Sequence, residues 1–130
     1  MFLDQIASLI ALSIFCIVSI FQMLLIMGAP YGKLVWGGKY KKLPIKFRFA
    51  SLYIIVIQFI AGASLLERSQ LINVINMDKL VHIIVWIVTV LFAYSTVANL
   101  MTKNKLEIII MAPVSFVLSI ACLIVSLGIK

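Results

Sequence analysis

The residues whose types and spacing best suit chemistry lie in one stretch, positions 28–48, where glycines, aromatic residues and lysines alternate. Four of the six glycines fall between Gly28 and Gly38. Glycine lets the backbone turn tightly and approach a ligand closely, and the Gly37–Gly38 pair can present backbone N–H groups directly before a run of lysines. Such groups suit an anionic headgroup or a phosphate. The predicted binding residues are Tyr31, Trp36, Gly37, Gly38, Lys39, Lys41, Lys42 and Arg48.

Two other interpretations of this loop stay open. Tyr and Trp settle at the headgroup level of a membrane and lysines extend outward from there, so the pattern is also typical of an ordinary loop at a membrane surface. A basic and aromatic surface also suits the docking of a partner protein. The stretch is not a P-loop, because it lacks the GxxxxGK[ST] spacing.

The sequence contains none of the residue arrangements that are typical of catalytic or metal-binding sites. There is no Ser/His/Asp set, no pair of acidic residues and no HExxH motif, and Cys16 and Cys122 stand alone inside apolar runs. The sequence therefore predicts a non-enzymatic protein with no catalytic residues, no metal site and no cofactor. The single histidine, His82, follows Asp78 by four positions, which predicts a contact between them on one helix face.

The elements that position these residues are expected to be membrane-spanning helices. Hydrophobic residues make up 65% of the 130 residues and charged residues 12%, whereas soluble domains carry about 25% charged residues. This composition excludes a soluble globular domain, a disordered chain and a disulfide-stapled secreted module. Four apolar runs, each long enough to cross about 30 Å of hydrocarbon as a helix, cover approximately 5–27, 44–66, 79–101 and 106–129.

The expected fold class is all-α, an integral membrane bundle of four transmembrane helices arranged as two helical hairpins. The bundle forms a single domain over residues 1–130, with a long loop between helices 1 and 2. That loop and the start of helix 2 hold six Lys or Arg residues, and the loop between helices 3 and 4 adds Lys103 and Lys105. The opposite side has three. Because basic loops stay on the cytoplasmic side, loops 1–2 and 3–4 are expected in the cytoplasm and both termini outside.

A motif in the long loop resembles that of a family of small, uncharacterised four-helix bacterial integral membrane proteins. The residues that carry the resemblance are Gly28, Pro30, Tyr31, Gly32, Trp36, Gly37, Gly38, Leu43, Pro44 and Arg48, followed by Asn99, Glu107, Pro113 and Val114. The family often has Trp where this chain has Tyr31. The resemblance implies the four-helix architecture and a bacterial cytoplasmic membrane. It implies no function, because no activity is established for the family.

Polar side chains within the spans are neutral, and this weakens one class of function. Proton-coupled pumps and small multidrug exporters typically need a carboxylate inside the membrane, so ion-coupled drug export is disfavoured without being excluded. Four polar residues fall in the cytoplasmic halves of their helices and are predicted to line a small pocket beneath the loop. They are Gln22, Tyr94, Ser95 and Asn99. The alternative is that they form hydrogen bonds between helices.

The fourth apolar run carries a stripe of small residues, a proline and an acid. The stripe is predicted to pack inside the bundle, with a homodimer face as the alternative; its members are Ala112, Ser115, Ser119, Cys122 and Ser126. Pro113 is expected to remove the hydrogen bond to the carbonyl of Ile109 and to kink the helix. Glu107, the one acid on the basic side, is predicted to pair with Arg48 or a loop lysine.

Together these features favour a binding or accessory membrane protein whose basic loop contacts a lipid headgroup, an anionic ligand or a partner. The alternative is a small transporter or channel subunit that works as a homo-oligomer. The expected partners are anionic membrane lipids, with a homodimer or another membrane protein also open. No nucleic-acid partner is expected, because the net charge of +7 is typical of cytoplasmic membrane loops.

Overall fold

The computed structural model describes residues 2–28, 30 and 39–129. In these residues the structure is helical and contains no β-strand. The helices are α1 Leu3–Ile26, α2 Ile45–Arg68, α3 Asp78–Met101 and α4 Ala112–Leu127, and a π-helical segment, Glu107–Met111, leads directly into α4. Each helix, α4 taken with the π-helical segment, is long and apolar enough to span a membrane. The predicted all-α fold with four membrane-spanning helices is confirmed, and every end lies within two residues of its predicted position.

Tight left-handed turns end α2 and α4 and satisfy carbonyl groups that a helix leaves unpaired. After α2, Gln70 has a φ of 67°, and the N–H of Leu71 donates to the carbonyl of Leu66 at 2.9 Å. After α4, Gly128 has a φ of 68° and the same bond pattern is repeated. Both turns lie at the same end of the bundle, where they stop the helices sharply.

The helices pack in chain order around a square. α1 and α3 each contact both α2 and α4, so consecutive helices are antiparallel neighbours. Across the centre, the rings of Phe15 on α1 and Phe92 on α3 stack with their centroids 5.6 Å apart. The buried core also contains Ala7, Ala11, Ala61, Leu65, Val81, Val85, Val88, Leu118, Ala121, Cys122 and Val125.

The outer surface of the bundle is more apolar than a water-facing surface would be. Ile17 is 68% exposed, Phe59 79% and Val90 64%, whereas Ser8, Ser51 and other small polar residues are fully buried. In hydrocarbon, apolar burial gives helices no reason to associate, and close packing with interhelical hydrogen bonds holds them together instead. This distribution suits a bilayer.

The small-residue stripe on α4 lies where the sequence predicted. Ala112, Ser115, Cys122 and Ser126 are buried inside the bundle, and Ser119 is half-buried. Short side chains at these positions let the backbone of α4 approach its neighbours closely. The prediction that the stripe packs within the bundle is confirmed.

One hydrogen bond between α3 and α4, which we call the seam bond, gives a testable difference in stability. The hydroxyls of Thr89 on α3 and Ser126 on α4 are 2.8 Å apart and buried. We expect Thr89→Val to lower the free energy of unfolding by about 1 kcal/mol, because an interhelical bond in lipid is worth that much. The matched control is Thr96→Val, since the Thr96 hydroxyl bonds a carbonyl of its own helix. Equal melting temperatures for the two variants would show that the seam bond contributes nothing.

Pro113 is accommodated by a change of helix type. The π-helical segment Glu107–Met111 ends just before it, and Pro113 occupies the first turn of α4. A proline has no N–H to donate and its ring crowds the carbonyl four residues earlier. Prolines and π-helical turns are both recognised causes of helix kinks, and here they lie next to each other.

Candidate functional site

The two ends of the bundle differ in charge. We call the end that carries residues 27–28, 39–44 and 102–106 the basic end. The end that carries residues 2 and 129, the first and last described, and residues 69–77 is the terminal end. The described basic residues at the basic end are Lys39, Lys41, Lys42, Lys46, Arg48, Lys103 and Lys105. Of the predicted loop residues, Tyr31, Trp36, Gly37 and Gly38 lie outside the described residues.

Leu43 anchors the end of the long loop to the bundle. Its side chain is 1% exposed, whereas the neighbouring Lys41 and Lys42 are exposed. Arg48, one turn into α2, donates from Nε to the carbonyl of Leu43 at 2.8 Å. The segment before α2 is therefore held in place by one buried side chain and one hydrogen bond, and its lysines project outward.

Aromatic rings support two of these lysines. The rings of Tyr40 and Phe47 are 5.4 Å apart, with Lys39 Nζ 5.7 Å from the first ring centroid and Lys46 Nζ 5.0 Å from the second. A cation at this distance is attracted to the face of an aromatic ring. The arrangement holds positive charge beside apolar rings, as a membrane surface requires.

Arg48 also borders an apolar groove between the end of α1 and the start of α2. The groove has a volume of about 200 Å³ and its other walls are Ile26, Ile45, Phe49 and Leu52. A guanidinium at the edge of an apolar slot can bind a phosphate while hydrocarbon fills the slot.

Gly28 makes room for that guanidinium. A Cβ atom on Gly28 would lie 3.3 Å from Nη2 of Arg48, and the backbone has a φ of +90°. A side chain at this position would meet both a steric contact and an unfavourable backbone conformation. The glycine and the arginine thus fit each other, a relation that the sequence alone did not reveal.

The four residues predicted to line a polar pocket do not all come together. Gln22 is 7% exposed and its Oε1 has no hydrogen-bond partner among the described residues. Asn99 donates from Nδ2 to the hydroxyl of Ser115 at 3.0 Å, and Ser95 is half-buried. Tyr94 is 72% exposed on the outer face of α3, so it does not join the interior set. The bond between Asn99 and Ser115 joins α3 to α4 and is therefore an interhelical hydrogen bond.

The predicted pairing of Glu107 with Arg48 or a lysine stays a prediction. Glu107 opens the π-helical segment at the basic end. The hydrogen bond that the structure shows for Arg48 goes to the loop carbonyl of Leu43. Arg48 is thus hydrogen-bonded to the segment that leads into its own helix, next to the groove.

The terminal end holds a polar arrangement that the sequence did not reveal. Glu67 is 7% exposed, and its carboxylate accepts hydrogen bonds from three successive backbone N–H groups, those of Val74, Ile75 and Asn76. A cleft of about 480 Å³ adjoins it. The cleft is lined by Glu67, Arg68, Gln70, Asp78, Lys79, Val81 and His82.

His82 and Arg68 are both held by neighbours in this region. His82 accepts a hydrogen bond at Nε2 from Trp86 Nε1 at 3.2 Å, and no hydrogen bond joins it to Asp78. The predicted Asp78–His82 contact is therefore replaced by one with the aromatic residue a turn later. Arg68 donates from Nη2 to the carbonyl of Ser126 at 3.3 Å. In the described residues, no group of three or more His, Cys, Asp or Glu side chains could hold a metal ion.

Comparison of the chain with protein-family models, with curated proteins and with solved structures finds no match. The resemblance of the loop motif to a family of small bacterial membrane proteins therefore stays a prediction.

Proposed function

We propose that this integral membrane protein binds an anionic phospholipid at its basic end and serves there as a non-enzymatic binding or accessory protein. The observation that carries the proposal is the position of Arg48 at the edge of an apolar groove. A phospholipid has the matching pair of features, a phosphate joined to hydrocarbon chains. No catalytic step is part of the proposal.

The hydrogen bond to the carbonyl of Leu43 orients the guanidinium of Arg48. Nε is the donor of this bond. Among the described residues, no atom accepts a hydrogen bond from the two terminal amino groups, and we propose that these bind the ligand. A planar pair of N–H donors matches two phosphate oxygens, and such charge-assisted bonds are about twice as strong as neutral ones. The exposed lysines add attraction to an anionic surface, about 1 kcal/mol for each one near it.

The orientation follows from the same charges. Anionic lipids and the basic loops that face them lie on the cytoplasmic side. We therefore place loops 1–2 and 3–4 in the cytoplasm and both termini outside, in a bacterial cytoplasmic membrane. The positive charges of the two loops support this placement.

Lipid-dependent thermal stability tests the proposal. A ligand that binds the folded protein raises its melting temperature, so phosphatidylglycerol added to protein in neutral detergent is expected to stabilise it more than phosphatidylcholine does. We expect Arg48→Gln to weaken phosphatidylglycerol binding about tenfold, because one charge-assisted contact is worth roughly 1.5 kcal/mol. The matched control is Lys105→Gln, which removes a charge at the same end away from the groove.

Two outcomes would contradict the proposal. One is equal stabilisation of the wild type by the two lipids. The other is an equal loss for Arg48→Gln and Lys105→Gln, which would show that general charge and not the Arg48 groove attracts the lipid. High salt should weaken the lysine contribution more than the contact inside the groove.

A further inference from the structure

A second and larger groove opens between α1 and α2 on the side of the bundle. Its volume is about 610 Å³, and none of its lining residues is charged or shared with the Arg48 groove. Phe15 and Phe59 contribute aromatic walls, and Gly62 and Ala63 add little side-chain bulk on the α2 side. A groove with these walls suits a flat or elongated apolar molecule dissolved in the bilayer.

The carboxamide of Gln58 in this groove uses only its oxygen for a hydrogen bond within the described part of the chain. Gln58 lines the groove and is 5% exposed. Its Oε1 accepts a hydrogen bond from the hydroxyl of Ser19 at 2.8 Å. Among the described residues, no atom accepts a hydrogen bond from its Nε2. An unpaired amide donor is costly in hydrocarbon, where no water replaces the missing acceptor.

The position of Gln58 near the middle of the membrane limits the kinds of molecule that could bind in the groove. Gln58 is near the middle of α2, a helix of 24 residues, and so about 20 Å from the start of that helix. The ester carbonyls of phospholipids lie near the headgroups, and their acyl chains carry no acceptor. A second copy of the chain would also present a concave groove at its own Gln58, so the two carboxamides would not meet.

We propose that this groove binds a membrane-dissolved quinone. The apolar ring and tail lie along the aromatic walls, and one ring carbonyl accepts a hydrogen bond from Nε2 of Gln58. A quinone combines an apolar body with a carbonyl acceptor that can reach the middle of the bilayer. The proposal is one of binding and includes no electron transfer, and it is independent of the phospholipid site.

A matched pair of compounds tests whether the groove recognises the ring carbonyl of a quinone. The probe is 2-decyl-3-methyl-1,4-naphthoquinone, and its control is 2-decyl-3-methylnaphthalene, which has the same ring system and tail without carbonyls. In ¹⁵N-glutamine-labelled protein in micelles, we expect the quinone alone to move the side-chain amide proton of Gln58 downfield. It should bind about fivefold more tightly than the control, the gain typical of one such bond in a membrane.

Variants then assign the effect to the groove. Gln58→Leu should remove the preference for the quinone, and Ala63→Leu, which fills the groove without touching the carboxamide, should weaken binding of both compounds. Arg48→Gln should leave quinone binding unchanged, which separates this site from the phospholipid site.

Three results would overturn the proposal. They are equal binding of the two compounds to the wild type, quinone binding that Ala63→Leu leaves intact, and a quinone preference that survives Gln58→Leu. A shift of the Gln58 signal with protein concentration alone would also overturn it, because a second copy would then occupy the groove.

Discussion

Glu67→Ala is expected to lower the free energy of unfolding by about 3 kcal/mol, because a buried donor left without its acceptor costs roughly 1–3 kcal/mol. The carboxylate of Glu67 accepts from three successive backbone N–H groups, those of Val74, Ile75 and Asn76. Alanine removes all three acceptor contacts at once. Water in the adjoining cleft can replace part of the loss, which is why the expected total stays below three full penalties.

The matched control is Glu67→Gln. Glutamine keeps the shape of the side chain and one acceptor oxygen but loses the charge, so we expect about half of the loss. Thermal unfolding in the same detergent, followed by circular dichroism, measures both variants. If Glu67→Ala melts within a degree of the wild type, Glu67 does not organise the segment between α2 and α3.

Leu43→Ala is expected to cost about 3 kcal/mol of stability, since truncating a fully buried leucine costs 2–5 kcal/mol. Leu43 is 1% exposed and is the buried anchor of the segment that leads into α2. Its carbonyl also receives the hydrogen bond from Arg48. Once the anchor is removed, the direction of the guanidinium is no longer fixed, and phosphatidylglycerol should stabilise this variant less than the wild type.

Leu100→Ala is the control for that substitution. Leu100 lies near the same end of the bundle on α3, is 57% exposed and does not line the Arg48 groove, so truncating it should change stability by less than 0.5 kcal/mol, as is usual for surface positions. Melting curves with and without phosphatidylglycerol measure both variants. A Leu43→Ala protein that keeps its full lipid-dependent stabilisation would show that the anchor does not position Arg48.

The sequence was sufficient to predict the helices because membrane spans are separated by strong changes in composition. The apolar runs end at Lys, Asp, Pro or Gly clusters, and these clusters lie at the observed ends of the helices. The small-residue stripe on α4 was also predictable, since close helix packing in lipid selects short side chains. These features depend on composition and local spacing, which a single sequence contains.

The orientation of each helix face was harder to predict. Tyr94 and Ser95 are adjacent in the sequence, yet Tyr94 lies on the outer face and Ser95 turns partly inward. In a water-soluble helix a polar face marks the exterior, but in a membrane bundle both faces are apolar and the periodic signal is weak. Burial of Asn99 against Ser115 therefore depends on a helix rotation that the sequence does not display.

The Glu67 site could not be predicted for a different reason. An acid in the last turn of a helix is unfavourable for the helix dipole and suggests an exposed position. Its acceptor role depends on backbone N–H groups seven to nine residues later, and these carry no side-chain signature. The same holds for Gly28 and Arg48, whose contact joins two helices across the loop.

Native mass spectrometry of the protein, gently extracted from its host membrane, shows directly which lipid the protein binds. We expect the wild type to retain an anionic phospholipid in a stoichiometric complex. We expect Arg48→Gln to lose this lipid and Lys105→Gln to keep it. Wild-type protein that carries only zwitterionic lipid, or an Arg48→Gln variant with its anionic lipid undiminished, would contradict the assignment of the basic end as a phospholipid site.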